Sequence, residues 1–107
     1  MSHVTSSATQ ALAYSEFAED PDFRELLEQF CREVFSRGIT MQSLLEHHEL
    51  RQLEVLAHQL KGAAGGYGFP ELSDYAARLE AACQGGRLEV IETALAATLA
   101  YIARVSL

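Results

Sequence analysis

His58, Lys61 and Gly62 stand at positions i, i+3 and i+4 of the run Leu56-Ala57-His58-Gln59-Leu60-Lys61-Gly62-Ala63-Ala64. On a helix, residues three and four apart are surface neighbours, so this spacing sets a lysine and a position without a side chain beside one imidazole. Histidine is largely neutral near pH 7, and its neutral ring is a nucleophile able to attack a phosphoryl group. An ammonium next to it holds phosphate oxygens as a compact positive charge. A glycine inside a helix costs about 1 kcal/mol relative to alanine, and room beside His58 is the nearest reason for one here. Together the three residues specify an accessible phosphoryl acceptor. They do not specify a complete enzyme, because no second base, carboxylate cluster or metal cage stands at matching spacing on that face.

The histidine needs a helix that turns it outward. Leu50, Leu53, Leu56, Ala57, Leu60 and Ala64 gather on one side when each residue advances by about 100°, and Arg51, Val55, His58 and Gly62 fall on the other. This helix is expected from about Glu49 to Gly65, with Gly65-Gly66-Tyr67-Gly68-Phe69 as a loop or frayed end that uses glycine at the cap. Pro70 opens the next helix, which turns Leu72, Tyr75, Ala76, Leu79 and Cys83 inward and stops at Gly85-Gly86. The last helix, about Arg87 to Arg104, carries Leu88, Ile91, Leu95, Leu99 and Ile102.

Upstream, Phe23, Leu26, Leu27, Phe30 and Val34 recur at three and four, and Met41, Leu44 and Leu45 continue the stripe in phase across Gly38. One long helix is therefore predicted from Pro21 to about Glu46, with Asp20 as its N-cap. Phe35 lies off the stripe, and either meets the N-terminal segment or stays exposed. Tyr14-Ser15-Glu16-Phe17-Ala18 is expected to add a short helical turn whose Phe17 covers an end of the core. The fold class is all-α, an antiparallel up-and-down four-helix bundle with that extra N-terminal turn, and no strand is needed. Residues 1–13, rich in Ser, Thr and Ala, form a flexible tail that docks near its end, and residues 14–107 form the bundle.

Composition narrows the function classes. At 107 residues, 49% hydrophobic and 21% charged, the chain is one domain with one core. A net charge of −7 argues against a nucleic-acid or anionic-membrane surface. Cys31, at the edge of an apolar stripe, and Cys83, within one, read as free thiols that pack as small hydrophobes. His47-His48 suggests a metal at first sight, but adjacent helical residues point about 100° apart and no third ligand stands at the right spacing, so no metal is expected. Without a signal peptide or membrane-spanning run, the protein is expected in the cytoplasm.

Periodicity alone leaves an acidic four-helix bundle with an unusual face. His58-Gln59-Leu60-Lys61-Gly62-Ala63-Ala64, with Gly68 ten residues after the histidine, further resembles the histidine-containing phosphotransfer (HPt) domains of multistep phosphorelays, whose pattern is H-x-x-K-G-[SA]-[SA] with a later glycine. The likeness extends to Ala57, to Gly-Phe-Pro-Glu-Leu at 68–72, to Leu79-Glu80, and to the helix order from about residue 14 onward. It implies that His58 accepts a phosphoryl group from a receiver-domain aspartyl phosphate, or from an upstream kinase, and passes it to another receiver. It also implies that Lys61 steadies the phosphate, Gly62 keeps the approach clear and Gly68 shapes the loop. Two departures, Glu49 where Asp often starts the histidine helix and Phe35 where proline is common, bear on helix boundaries and partner choice and not on the chemistry.

A sensor-kinase dimerisation domain also presents histidine on helices, but acidic and proline residues are expected where Gln59 and Gly62 stand. A helical adaptor without relay chemistry is weakened by the presence of all three site residues. The glycine run is neither GxxxxGK[ST] nor GxGxxG and follows a helix, which argues against ATP. The expected partners are response-regulator receiver domains and a hybrid sensor kinase, met by a monomer that has no cofactor of its own, with magnesium on the receiver. Arg51, Val55, Gln59, Gly62 and Gly65 are the expected docking surface around His58. Val55 also admits a plainer reading, as a boundary residue packed on a neighbouring helix.

Overall fold

The computed structural model describes residues 11–107. Residues 1–10 of the expected tail lie outside them. The amphipathic stripes become α1 (Arg24–Glu46), α2 (Leu50–Gly66), α3 (Pro70–Gly85) and α4 (Leu88–Ile102). They run up and down around one core, in which Val34 and Met41 of α1, Leu53 and Leu60 of α2, Leu72 and Leu79 of α3, and Ile91 and Leu95 of α4 meet. α2 and α3 form the most intimate pair, followed by α3 and α4. None of the described helices is long and apolar enough to cross a membrane.

Gly38 does not interrupt α1, and its surroundings explain why glycine is there. A Cβ at this buried position would lie 3.2 Å from Leu99 Cδ2 and 3.6 Å from Ile102 Cδ1, so its absence lets α4 lie close against α1. Loss of intrinsic helix propensity is offset by that approach. Leu26 departs from the expected stripe, being 45% exposed. The inward line of α1 runs through Leu27, Phe30, Val34 and Met41, and Leu26 sits about 90° round from it. Phe35 lies at a similar angle on the other flank and is exposed, with no contact to the N-terminal segment required to hold it.

Both ends of the α1–α2–α3 path are set by the same hydrogen-bond device. After α1, the Glu49 N–H donates to Leu44 O (2.8 Å) and the His48 N–H to Leu45 O (3.0 Å), with His48 in the left-handed region at φ 58°. After α2, the Phe69 N–H donates to Ala64 O (2.8 Å) and the Gly68 N–H to Gly65 O (3.3 Å), with Gly68 at φ 85°. These are paired Schellman closures, which satisfy otherwise orphaned carbonyls and turn the chain sharply. The second one carries α2 to Gly66 and seats Phe69, fully buried, under the turn.

The N-terminal segment corrects two expectations. Where no strand was expected, Ala13–Tyr14 (β1) pairs in parallel with Val105–Ser106 (β2), Ala13 opposite Val105, so the extra helical turn starts after Tyr14 and not at it. α4 accordingly ends at Ile102 and not at Arg104. Ala13 and Val105 are both buried, and the Ala13 N–H, which the bundle's edge would otherwise leave unpaired, donates to Arg104 O at 2.7 Å. Helical character enters slightly later, as i to i+3 turns from Ser15 to Asp20 and a 3-10 turn at Pro21–Phe23, started by Asp20, whose side chain accepts the Asp22 N–H at 2.9 Å. Phe17 stacks on Phe23 with ring centroids 4.7 Å apart and closes that end of the core.

Candidate functional site

The site sits where α2 and α3 run antiparallel, on their solvent side. His58 is midway along α2, its side chain 66% exposed, above the fully buried Ala57. Its Nδ1 lies 2.9 Å from Oε2 of Glu80 on α3. Lys61 donates from Nζ to the other oxygen of the same carboxylate, Oε1, at 2.8 Å. One carboxylate thus bridges the imidazole and the ammonium across the seam.

Two further bonds fix the register of that seam. Toward the loop, Ser73 Oγ donates to the Lys61 carbonyl at 2.8 Å, and toward the far end Gln84 Nε2 donates to Glu54 Oε2 at 3.1 Å. Glu80 itself is held by its helix: Leu79 beside it is fully buried and Cys83 one turn on is buried. Only 15% of the Glu80 side chain meets solvent. The Lys61 ammonium, and after it the hydrogen bond from His58, hold the Glu80 carboxyl below its ordinary range, while partial desolvation pushes the other way.

The glycines divide by function. Among the described residues, a Cβ on Gly62 would meet nothing within 4 Å, so this exposed position beside His58 is open on its outer side. Gly65 lies against α3, where a Cβ would be 3.7 Å from Ser73 Oγ. Gly68 is buried and admits no side chain, since a Cβ there would sit 2.5 Å from Ser15 Oγ and 3.0 Å from the Glu16 nitrogen. The N-terminal segment straps onto this loop: the Glu16 N–H donates to Gly68 O at 2.8 Å, and Ser15 Oγ donates to Tyr67 O at 2.6 Å. Gly68 therefore shapes the loop at a distance from His58, by letting residues 15–17 clamp the end of the histidine helix.

Of the other residues expected around His58, Arg51, Val55 and Gln59 are exposed along α2, and Val55 is 50% exposed although apolar. The structure brings together His58, Lys61 and Gly62 as their spacing requires, and adds Glu80, which the sequence reading quoted only as part of Leu79-Glu80. A signal for it existed. In a tight antiparallel hairpin, residues equally far from the pivot face each other, and His58 and Glu80 are each eleven residues from Phe69. Glu54 and Gln84 obey the same rule. Among the described residues, no three His, Cys, Asp or Glu side chains stand together as a metal site would need.

What this arrangement offers chemically is an exposed nitrogen nucleophile on a rigid helix, a cation one turn away and clear space on the side where a reacting group would enter. Comparison with curated proteins and with solved structures gave no match. The sequence model of the Hpt domain matches residues 25–106, most of the chain, from the second residue of α1 to the end of β2. Domains of this kind carry phosphoryl groups, and interact with kinases and with the receiver domains of response regulators. The chain belongs to the Hpt domain family, and its role is histidine phosphotransfer in phosphorelay signalling.

Proposed function

We propose that His58 is the phosphoacceptor, that it takes its phosphoryl group from a receiver-domain aspartyl phosphate or from an upstream kinase, and that it passes the group to another response-regulator receiver. The observation that carries this reading is the exposed imidazole beside the unobstructed Gly62 position, with Lys61 within one turn. In the forward step the imidazole attacks phosphorus, the bond from phosphorus to the aspartyl oxygen breaks, and the carboxylate leaves. Lys61 steadies the phosphate oxygens, a contact that a flexible ammonium makes readily. No cofactor is assigned to this chain, and magnesium comes with the receiver.

The docking surface on this reading is the exposed stripe of α2, Arg51, Val55, Gln59, Gly62 and Gly65. Val55 supports it, because this apolar residue is half exposed, left uncovered by the described residues. Val55→Glu is expected to slow transfer from its receiver, and an unchanged rate with every candidate receiver removes it from the contact.

The decisive test is incubation with phosphorylated receivers, comparing the wild type with His58→Gln. Acid-labile label on the wild type and none on the variant supports the assignment. Equal labelling of both proteins, or none on either, defeats it.

A further inference from the structure

We propose that the chain pairs with a second copy of itself through the α1–α4 side of the bundle, in place of the monomer expected from the sequence. The assignment of His58 does not enter this inference.

α1 packs on α2 and α4, and α3 packs on the same two helices, so the α1–α4 seam lies across the bundle from the α2–α3 seam that holds His58. On that far side Phe35 is 43% exposed and Ile39 74%. They stand four residues apart with Gln42 three further on, and so share one flank of α1. A groove of about 560 Å3 runs beside them, lined by these three residues and by Leu99 and Ile102 of α4. The buried Gly38 lies between the two helices there and brings no side chain to fill it.

The sequence sets the same face apart. Residues 38–45 and 93–103 carry no charge, in a chain that is 21% charged. Among the described residues that line the groove, only Glu46 is acidic or basic.

The shape of the patch selects a copy of this chain as the occupant. A projecting apolar side chain and a groove stand next to each other on one surface, so a two-fold axis through it sets each Ile39 against the other copy's groove. Such self-complementarity is what an isologous contact requires. Charge selects the same occupant. Two copies of net charge −7 repel each other, and this is a face on which they meet without opposing carboxylates. An apolar centre depleted of charge is the composition of a homodimer contact. A partner brought in by electrostatic steering would need charges that this face lacks.

The area is sufficient. A stable pair takes about 800 Å2 from each partner, and one long side of a four-sided bundle, roughly a sixth of the 6558 Å2 surface, supplies about 1,000 Å2. Both His58 sites face away from the contact, so pairing leaves them open.

The test is sedimentation equilibrium of the intact chain from about 10 µM to 1 mM, where micromolar to millimolar dissociation constants register. The wild type is expected to rise from 11.8 kDa toward twice that mass. Ile39→Glu puts a carboxylate into the contact from both copies and is expected to weaken association at least about thirtyfold, the size of an interface hot spot. Ile39 is mostly exposed, so the variant keeps its fold, which circular dichroism checks. Val90→Glu adds the same charge at an exposed apolar position on the α3–α4 side and is expected to pair as the wild type does. A wild type that stays at 11.8 kDa throughout overturns the proposal, and so does an Ile39→Glu variant that pairs undiminished. Equal loss of pairing in Val90→Glu would assign the effect to net charge and overturns it too. A monomeric wild type whose Ile39→Glu variant is no longer labelled by phosphorylated receivers would give this face to a receiver instead of a second copy.

Discussion

The Lys61 ammonium lies 2.8 Å from Oε1 of Glu80 and joins α2 to α3 directly beneath the exposed histidine. Because this contact and the one from His58 lower the Glu80 pKa from an ordinary value of 4.5, the carboxyl contributes to folding in its ionised form. The sign follows from linkage. The contribution is fully present above the unfolded-state value and is lost as pH falls through the lower folded-state value. Glu80→Gln is therefore expected to melt below the wild type at pH 7, with the two curves converging as the pH falls below the ordinary value of 4.5 and the carboxyl becomes protonated in the folded state. Thermal melts of both proteins across that window check it, and a gap that persists undiminished at the acid end would contradict it.

Gly68 combines a left-handed backbone, φ 85°, with a Cβ position 2.5 Å from Ser15 Oγ. An alanine there meets both costs at once, backbone strain and displacement of the strap, and neither is relieved by moving a flexible side-chain tip because the Glu16 backbone nitrogen is also 3.0 Å away. Gly68→Ala is expected to destabilise the domain by about 2–3 kcal/mol in urea unfolding. The strap residues 15–17 should gain amide exchange in the same variant.

The bundle was legible because four stripes of period 3.6 are written plainly into the chain, and the α1 stripe stays in phase across Gly38. His58, Lys61 and Gly62 were legible for a related reason: they lie on one helix, where spacing alone fixes neighbourhood. Glu80 was not read as a site residue because its partner is on another helix, and the pairing depends on the register that the Gly68 turn imposes. The β1–β2 pair was hidden for a different reason. Two residues carry no periodicity, and Ala13 and Val105 are separated by nearly the whole chain, so no local pattern announces that the ends meet. Leu26 shows the limit of counting threes and fours, since a residue at the margin of a stripe is buried only if a neighbouring helix reaches that far.

His48 closes α1 in the left-handed region, at φ 58°, without being glycine. An L side chain pays about 1–2 kcal/mol for that conformation, while glycine adopts it freely but loses more freedom on folding. The balance favours His48→Gly by about 0.5–1 kcal/mol. His48 is exposed, so little buried packing is lost to offset the gain. Chemical denaturation measures it, and a variant less stable than the wild type would show that the imidazole contributes more than its backbone costs.

Gly62 offers the opposite separation, of stability from function. A Cβ added there meets no described residue within 4 Å, so the helix accepts a side chain's first carbon without distortion. Gly62→Gln replaces a poor helix former with a good one at an exposed position in α2 and should stabilise the domain by about 0.5–1 kcal/mol. If the open space beside His58 is what lets a receiver bring its phosphoryl group to the ring, the same variant loses transfer from receivers, because the new side chain fills the approach. Phosphoramidate, far smaller than a receiver, should still label it at a rate within about threefold of the wild type, a difference of less than 1 kcal/mol in activation free energy. Loss of labelling by both donors would instead place the effect of Gly62 on the histidine itself, and unchanged transfer from receivers would remove the clearance role altogether.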